Sequence, residues 1–183
     1  MSDFQDVLIA AREGEEWALG RLFRLTYPRF VCYVGAVAPP DAEDVAADAW
    51  LDVARGLHRF EGDEHAFRAW AFTIARRRLL DLRRSRARRR TDPVDPAELV
   101  AAGGAGDVED EALATLGTGW AIRLITSSLS PDQAEVVILR VIGDLGVDEV
   151  ASIMGKRRGT VRVLQHRALR RLAQVLQGEG VTP

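Results

Sequence analysis

A single cysteine, Cys32, stands in 183 residues. That scarcity excludes an internal disulfide and any zinc site built from several thiolates. Its neighbours Phe30, Val31 and Tyr33 are apolar or aromatic, so a buried, inert thiol is the expected role. Lysine is scarcer than chance as well: Lys156 is the only one, and arginine carries the rest of the positive charge, a composition associated with GC-rich genomes. No apolar run approaches the roughly 20 residues that a membrane-spanning helix needs, so no membrane insertion by this chain is expected. The opening residues, Met1-Ser-Asp-Phe-Gln-Asp6, are acidic rather than basic and then apolar, unlike a secretory signal. A soluble, cytoplasmic chain is expected.

Catalytic chemistry is missing too. The three histidines, His58, His65 and His166, lie far apart and lack metal-ligand partners at short spacing. Gly155-Lys156 lacks the upstream glycine of a phosphate-binding loop. Gly103, Gly104 and Gly106 fall in a loop-like stretch rather than between a strand and a helix. The expectation is no enzyme, no catalytic residue, no metal and no cofactor.

What is present is a segregated charge. The net charge of −2 conceals four blocks. Residues 1–65 carry 6 basic and 13 acidic side chains, and residues 66–90 carry 10 basic and 1 acidic. Residues 91–114 carry 7 acidic and none basic, and residues 115–183 carry 9 basic and 6 acidic. Two basic blocks separated by an acidic one point to two nucleic-acid surfaces on one chain.

The apolar fraction of 47% suits a packed core, and its periodicity is helical. Val7, Leu8, Ala11, Leu19, Leu22, Phe23, Phe30 and Val34 fit one or two amphipathic helices over 3–34. Pro39-Pro40 stops that segment. Asp41 is placed to cap a next helix that has Glu43 and Asp44 in its first turn and Val45, Ala49, Trp50 or Leu51, Val53 and Leu57 along it. Gly62-Asp63 breaks the chain before a helix from about 65 to 89. Thr91 to Glu111, with Pro93, Pro96 and seven acids, reads as a flexible, self-repelling linker. Residues 112–127 and 131–142 read as helices, the second with a Ser130-Pro131 start. No strand alternation is sustained anywhere. The fold class is all-α: two small helical domains, 1–90 and 113–177, joined by a linker over 91–112 and followed by a disordered tail over 178–183.

The last third reads as a helix-turn-helix. Val147, Val150, Ala151 and Met154 face one helix, which runs into Gly155 and a basic turn. A longer helix follows, with Val161, Leu164, Ala168, Leu169 and Leu172 on one side and Arg162, His166, Arg167, Arg170 and Arg171 elsewhere. Such a unit offers its second helix to the DNA major groove.

The string Asp41-Ala-Glu-Asp-Val-Ala-Ala-Asp-Ala-Trp50, then Phe60-Glu-Gly, Phe67-Arg-Ala-Trp-Ala-Phe-Thr-Ile-Ala75 and Leu79-Leu-Asp-Leu-Arg-Arg84, resembles region 2 of bacterial sigma factors. Leu129 through Leu172 resembles region 4. The chain therefore resembles a group IV, extracytoplasmic-function (ECF) sigma factor of the sigma-70 family. The resemblance implies that Asp41, Asp44, Asp48, Trp50 and Leu51 dock on the β′ clamp helices of core RNA polymerase. It implies that Phe60, Arg68, Arg76, Arg77, Arg78, Arg83 and Arg84 face the minus-10 element, the arginines tracking phosphates. The loop Phe60–Ala66 would hold a flipped base, stacking offsetting part of the unpairing cost. Arg158, Thr160, Arg162, Val163, His166 and Arg167 would read the minus-35 element in the major groove. Of Val136, Val137, Leu139 and Val141, some would be core and some would meet the β flap. An anti-sigma factor is the further implied partner.

The sequence departs from the family pattern in places. Arg77 stands where asparagine is frequent, and Val163, Leu164, Gln165 and Leu169 replace serine, arginine, leucine and arginine. Two other readings stay open at this stage: a duplex-operator regulator that works without polymerase, and a degenerate sigma-like chain that sequesters another factor.

Overall fold

The computed structural model describes residues 4–91 and 119–178, and these are helical with no strand among them. Four helices, α1 (Phe4–Arg12), α2 (Glu16–Val37), α3 (Ala42–Gly56) and α4 (Glu64–Thr91), make an N-terminal bundle. Four more, α5 (Gly119–Ser128), α6 (Pro131–Val141), α7 (Val147–Met154) and α8 (Arg158–Gly178), make a C-terminal one. The expected linker and tail lie, apart from Thr91 and Gly178, outside the described residues, as does the 112–118 start of the helix expected there.

Local chemistry sets the helix ends. Pro39 and Pro40 end α2 and open a 3-10 turn, Pro39–Asp41, that leads into α3. Asp63 Oδ1 accepts from the Ala66 N–H at 2.9 Å, so α4 begins one residue before the expected His65. At α6, Pro131 takes the first turn, where its missing N–H costs nothing, and Gln133 Oε1 accepts from the Ser130 N–H at 3.1 Å. The turn between α7 and α8 depends on Gly155, whose φ of +63° is a left-handed conformation that other residues adopt only with strain.

The N-terminal core is aromatic at its centre. Phe72 meets the rings of Phe30 (5.5 Å, 86°) and Tyr33 (5.7 Å, 71°) edge-on, and all three are almost completely buried. Val53, Leu57 and Leu79 close the bundle from α3, the turn after it, and α4. Of the expected apolar set in 3–34, Phe23 is the exception, 38% exposed. The C-terminal core is aliphatic: Val136, Ile138, Leu139, Leu145, Val150, Val161 and Ala168.

Leu169 is a correction. It was expected on the apolar side of its helix and is 52% exposed. At about 100° per residue, Val161, Leu164, Ala168 and Leu172 share one face, and Leu169 lies a full step round from Ala168. Asp41 is a second correction. It occupies the N-cap position of α3, but its carboxylate makes no cap bond and pairs with Arg86 instead.

The two bundles pack on each other, α4 against α7 and α2 against α5 and α6. Nothing in the sequence reading anticipated that contact.

Candidate nucleic-acid and polymerase interfaces

One face of α3 buries Val45, Ala46, Ala49 and Val53, and the opposite face exposes Glu43, Asp44 and Asp48. Leu51 is 48% exposed beside these acids, and Trp50 is half-buried with its ring edge on Phe23 at 5.3 Å. Phe23 stacks in turn on Tyr27 at 4.7 Å. Burial first, then the nearby Glu43 and Asp44 carboxylates, push the Tyr27 hydroxyl above its ordinary pKa. The surface is thus an aromatic patch rimmed by carboxylates. Phe23 was expected only as part of the apolar face and Tyr27 was not singled out; their i, i+4 spacing on one helix was the available signal. Asp41 does not join the patch, since its carboxylate is turned towards Arg86 of α4.

The expected minus-10 residues are distributed along α4 and the loop before it. Phe60 is buried, and its ring stacks on Trp70 at 4.9 Å. Phe67 and Phe72 are core residues, which leaves Trp70 as the partly exposed aromatic of that helix. Gly62 has a φ of +150°, and a Cβ there would come within 2.9 Å of the Phe60 ring and 2.8 Å of Ala66. Glycine is therefore what lets this loop fold tightly over Phe60.

Most arginines of α4 have carboxylate partners in this conformation. Arg78 meets Asp52 at 2.6 Å, a bond that lowers the Asp52 pKa and raises that of Arg78. Arg84 pairs with Asp81 at 3.3 Å, and Arg83 reaches the Val37 carbonyl at 3.5 Å. Arg77 is exposed. Arg68 pairs with both Glu64 and Asp144, and Arg76 pairs with Glu135 at 2.9 Å. The Tyr33 hydroxyl donates to the same Glu135 oxygen at 2.8 Å. Burial, followed by that carboxylate, pushes the tyrosine well above its ordinary pKa. So Arg68 and Arg76, expected on phosphates, are held here by acids of the C-terminal bundle.

On α8 the geometry differs. Val161 and Ala168 are fully buried, which turns Thr160, Arg162, Val163, His166 and Arg167 outward. Val163 is 48% exposed among these polar neighbours. Arg158, exposed at the start of the helix, pairs with Asp148 of α7. The basic turn is pinned from behind by Lys156, which bonds Asp132 of α6 at 2.8 Å. Elsewhere in this bundle Val136, Val137 and Leu139 are core, while Val141 is 68% exposed and Trp120 51% exposed.

No group of three or more histidine, cysteine or acidic side chains among the described residues is placed to hold a metal ion. No helix among them is long and apolar enough to cross a membrane. Cys32 is buried, which pushes its thiol up to about 11.

Known proteins carry the same two regions. Residues 27–89 match Sigma-70 region 2, and residues 120–172 match Sigma-70 region 4. The ECF RNA polymerase sigma factor BldN of Streptomyces coelicolor is 35% identical over 170 residues, 91% of this chain and 63% of that protein. This chain thus spans somewhat less than two thirds of that relative's length. ShbA of Streptomyces griseus, also an ECF RNA polymerase sigma factor, is 32% identical, covering 88% of this chain and 89% of that one. SigD of Mycobacterium tuberculosis is 30% identical, covering 95% and 84%. Among solved structures, CnrH in complex with the cytosolic domain of CnrY shares the fold at a TM-score of 0.59 and 20% identity, covering 96% of this chain and 99% of that one. RpoE of Bartonella quintana, solved with the anti-sigma factor NepR, does so at 0.60 and 24%, covering 86% and 96%. Two sigma regions in order, and relatives aligned along nearly the whole chain, have one meaning: the chain belongs to the ECF RNA polymerase sigma factors.

Proposed function

We propose that this chain binds core RNA polymerase and directs promoter-specific initiation in the cytoplasm by recognising minus-10 and minus-35 elements. The observation that carries the reading is the separation of surfaces. An acid-rimmed aromatic patch lies on α2 and α3, and arginine-rich helices lie on α4 and α8. In this reading Asp44, Asp48, Trp50 and Leu51 meet the β′ clamp helices, where an apolar anchor within a charged rim suits a protein interface. Phe23 and Tyr27 extend that anchor. Val141 of α6 and Trp120 of α5, both exposed and apolar, suit the β flap.

Arg77, Arg83 and Arg84 line the exposed side of α4 and would follow phosphates near the minus-10 element, with Arg68, Arg76 and Arg78 joining once their carboxylate partners leave. Phe60 and Trp70 would flank the pocket for an extruded base. Arg162, Val163, His166 and Arg167, with Arg158 and Thr160 at the edge, would enter the major groove at minus-35. An anti-sigma factor is part of the proposal, because the aromatic patch is the kind of surface an inhibitor must cover.

The test is transcription. The protein is added to sigma-free core enzyme on a panel of genomic promoters, and discrete run-off products are expected. Initiation never rising above that of core alone would refute the reading. Tight binding of free protein to duplex operators without polymerase association would favour the operator-regulator alternative instead.

A further inference from the structure

Among the described residues only two polar side chains are buried, Thr26 and Glu135. Glu135 sits in the apolar run Ala134-Glu-Val-Val137 of α6, yet its carboxylate leaves its own bundle. It accepts from the Tyr33 hydroxyl at 2.8 Å and from Arg76 Nε at 2.9 Å, both in the N-terminal bundle. Two further acids follow the same path. Asp144, held in a left-handed turn at φ +51°, pairs with Arg68, and Glu149 of α7 meets His65 Nε2 at 3.0 Å. Positions 65, 68 and 76 fall on one stripe of α4 at helical spacing. The C-terminal bundle thus lays three carboxylates along two guanidinium groups and an imidazole of the N-terminal one.

A guanidinium takes a carboxylate and a phosphate through the same donors. We propose that this stripe of α4 is an acid-docking site whose occupant in the free chain is the C-terminal bundle itself, so that Glu135 and Asp144 compete with promoter phosphates for Arg76 and Arg68. The consequence for DNA rests on the promoter reading of α4; the docking does not. Opening is coupled to DNA binding because a partner that needs Arg76 must displace Glu135, which lowers the apparent affinity by the fraction of chains that are closed.

The docking is read as a distance. Ala47→Cys on α3 and Gln174→Cys on α8 place one exposed thiol in each bundle for a fluorescent donor and acceptor, while buried Cys32 stays unlabelled. The full chain should show one short-distance population. Glu135→Arg, which sets a cation against Arg76, should shift it to long distance. Adding Arg76→Glu to Glu135→Arg should restore the short distance, a rescue that a mere folding defect would not show. An unchanged distance in Glu135→Arg, or no rescue in the double variant, overturns the proposal.

The competition is read with a fluorescein-labelled oligothymidylate. Glu135→Ala should bind it about tenfold more tightly than Glu13→Ala, which removes the same charge from an exposed position just after α1. Equal affinities overturn the competition. If the distance data still show docking, equal affinities mean that the promoter reading of α4, rather than the docking, is the failed premise.

Discussion

The helices α4 and α8 are both rich in arginine, and apart from Arg77 on α4 and Arg158 on α8, which pairs with Asp148, they hold most of those arginines in opposite states. On α8, Arg162, Arg167, Arg170 and Arg171 are exposed with no ion-pair partner among the described residues. On α4, Arg68, Arg76, Arg78, Arg84 and Arg86 each meet a carboxylate. The residue type is the same; the neighbours differ. Acidic α3 lies along one flank of α4, and the acids of the C-terminal bundle reach the start of that helix and its middle. The face of α8 that turns outward packs against nothing described. The outward face of α8 is therefore free for the minus-35 role proposed for it, whereas Arg68 and Arg76 of α4 have to leave their carboxylates before they can take the role proposed for them.

The ion pairs that hold α4 are not equal. Exposed pairs such as Arg84–Asp81 contribute about 0–1 kcal/mol and yield easily to a polyanion. Arg76–Glu135 is largely buried and shares its carboxylate with Tyr33. Removing one partner of such a pair leaves an uncompensated buried charge, which is why it acts as a latch rather than as surface decoration.

The comparison can be broken in several ways, beginning with the largest effect. Phe72→Ala empties the aromatic centre beneath α4 and should cost about 3–5 kcal/mol of stability. A denaturant melt losing under about 1 kcal/mol would show that this ring does not organise the N-terminal bundle. Next, Arg162→Ala and Arg167→Ala should each weaken minus-35 duplex binding by about 1–3 kcal/mol and leave polymerase affinity intact. Equal loss of both activities would make α8 structural rather than a reader. If either arginine instead follows a phosphate, its removal should flatten the salt dependence by about one unit of log slope.

Gly155→Ala should cost about 1 kcal/mol, because a left-handed φ is strained for alanine while a Cβ there meets no atom within 4 Å. A melting temperature unchanged from the parent would contradict that account. The smallest effect concerns pH. Arg78 holds the Asp52 carboxyl below its ordinary range, and backbone N–H groups, then His65, do so for Glu149. A depressed carboxylate contributes stability that is present above the ordinary carboxylate pKa of about 4 and is lost as pH falls through the lower folded value. Acid titration of stability should therefore lose a step in Asp52→Asn, and an identical acid limb in parent and variant would contradict the assignment.

Much of this was legible in the chain. Helical period, proline stops and the Ser130-Pro131 start locate α2, α3, α4 and α6 because each depends on local chemistry. The helix-turn-helix announced itself through Gly155 and the apolar faces on either side. Leu169 was misplaced because a leucine next to an apolar stripe is indistinguishable by composition from one on it. Trp50 was left open between core and surface, and Phe23 was placed on the apolar face, for a related reason: an aromatic side chain can be half in the core and half on a surface. The contact between the bundles was invisible, since no local pattern records which acid meets which arginine across 59 positions of sequence. The one hint was a charged residue, Glu135, inside an otherwise apolar run.

The central claim is that the acid-rimmed face of α3 serves polymerase while α8 serves DNA. It is tested most directly by co-purifying the Asp44→Lys, Asp48→Lys double variant with core polymerase while measuring its binding to minus-35 duplex. Loss of polymerase binding with duplex binding retained is the predicted result. Polymerase binding equal to that of the unaltered chain would contradict the claim.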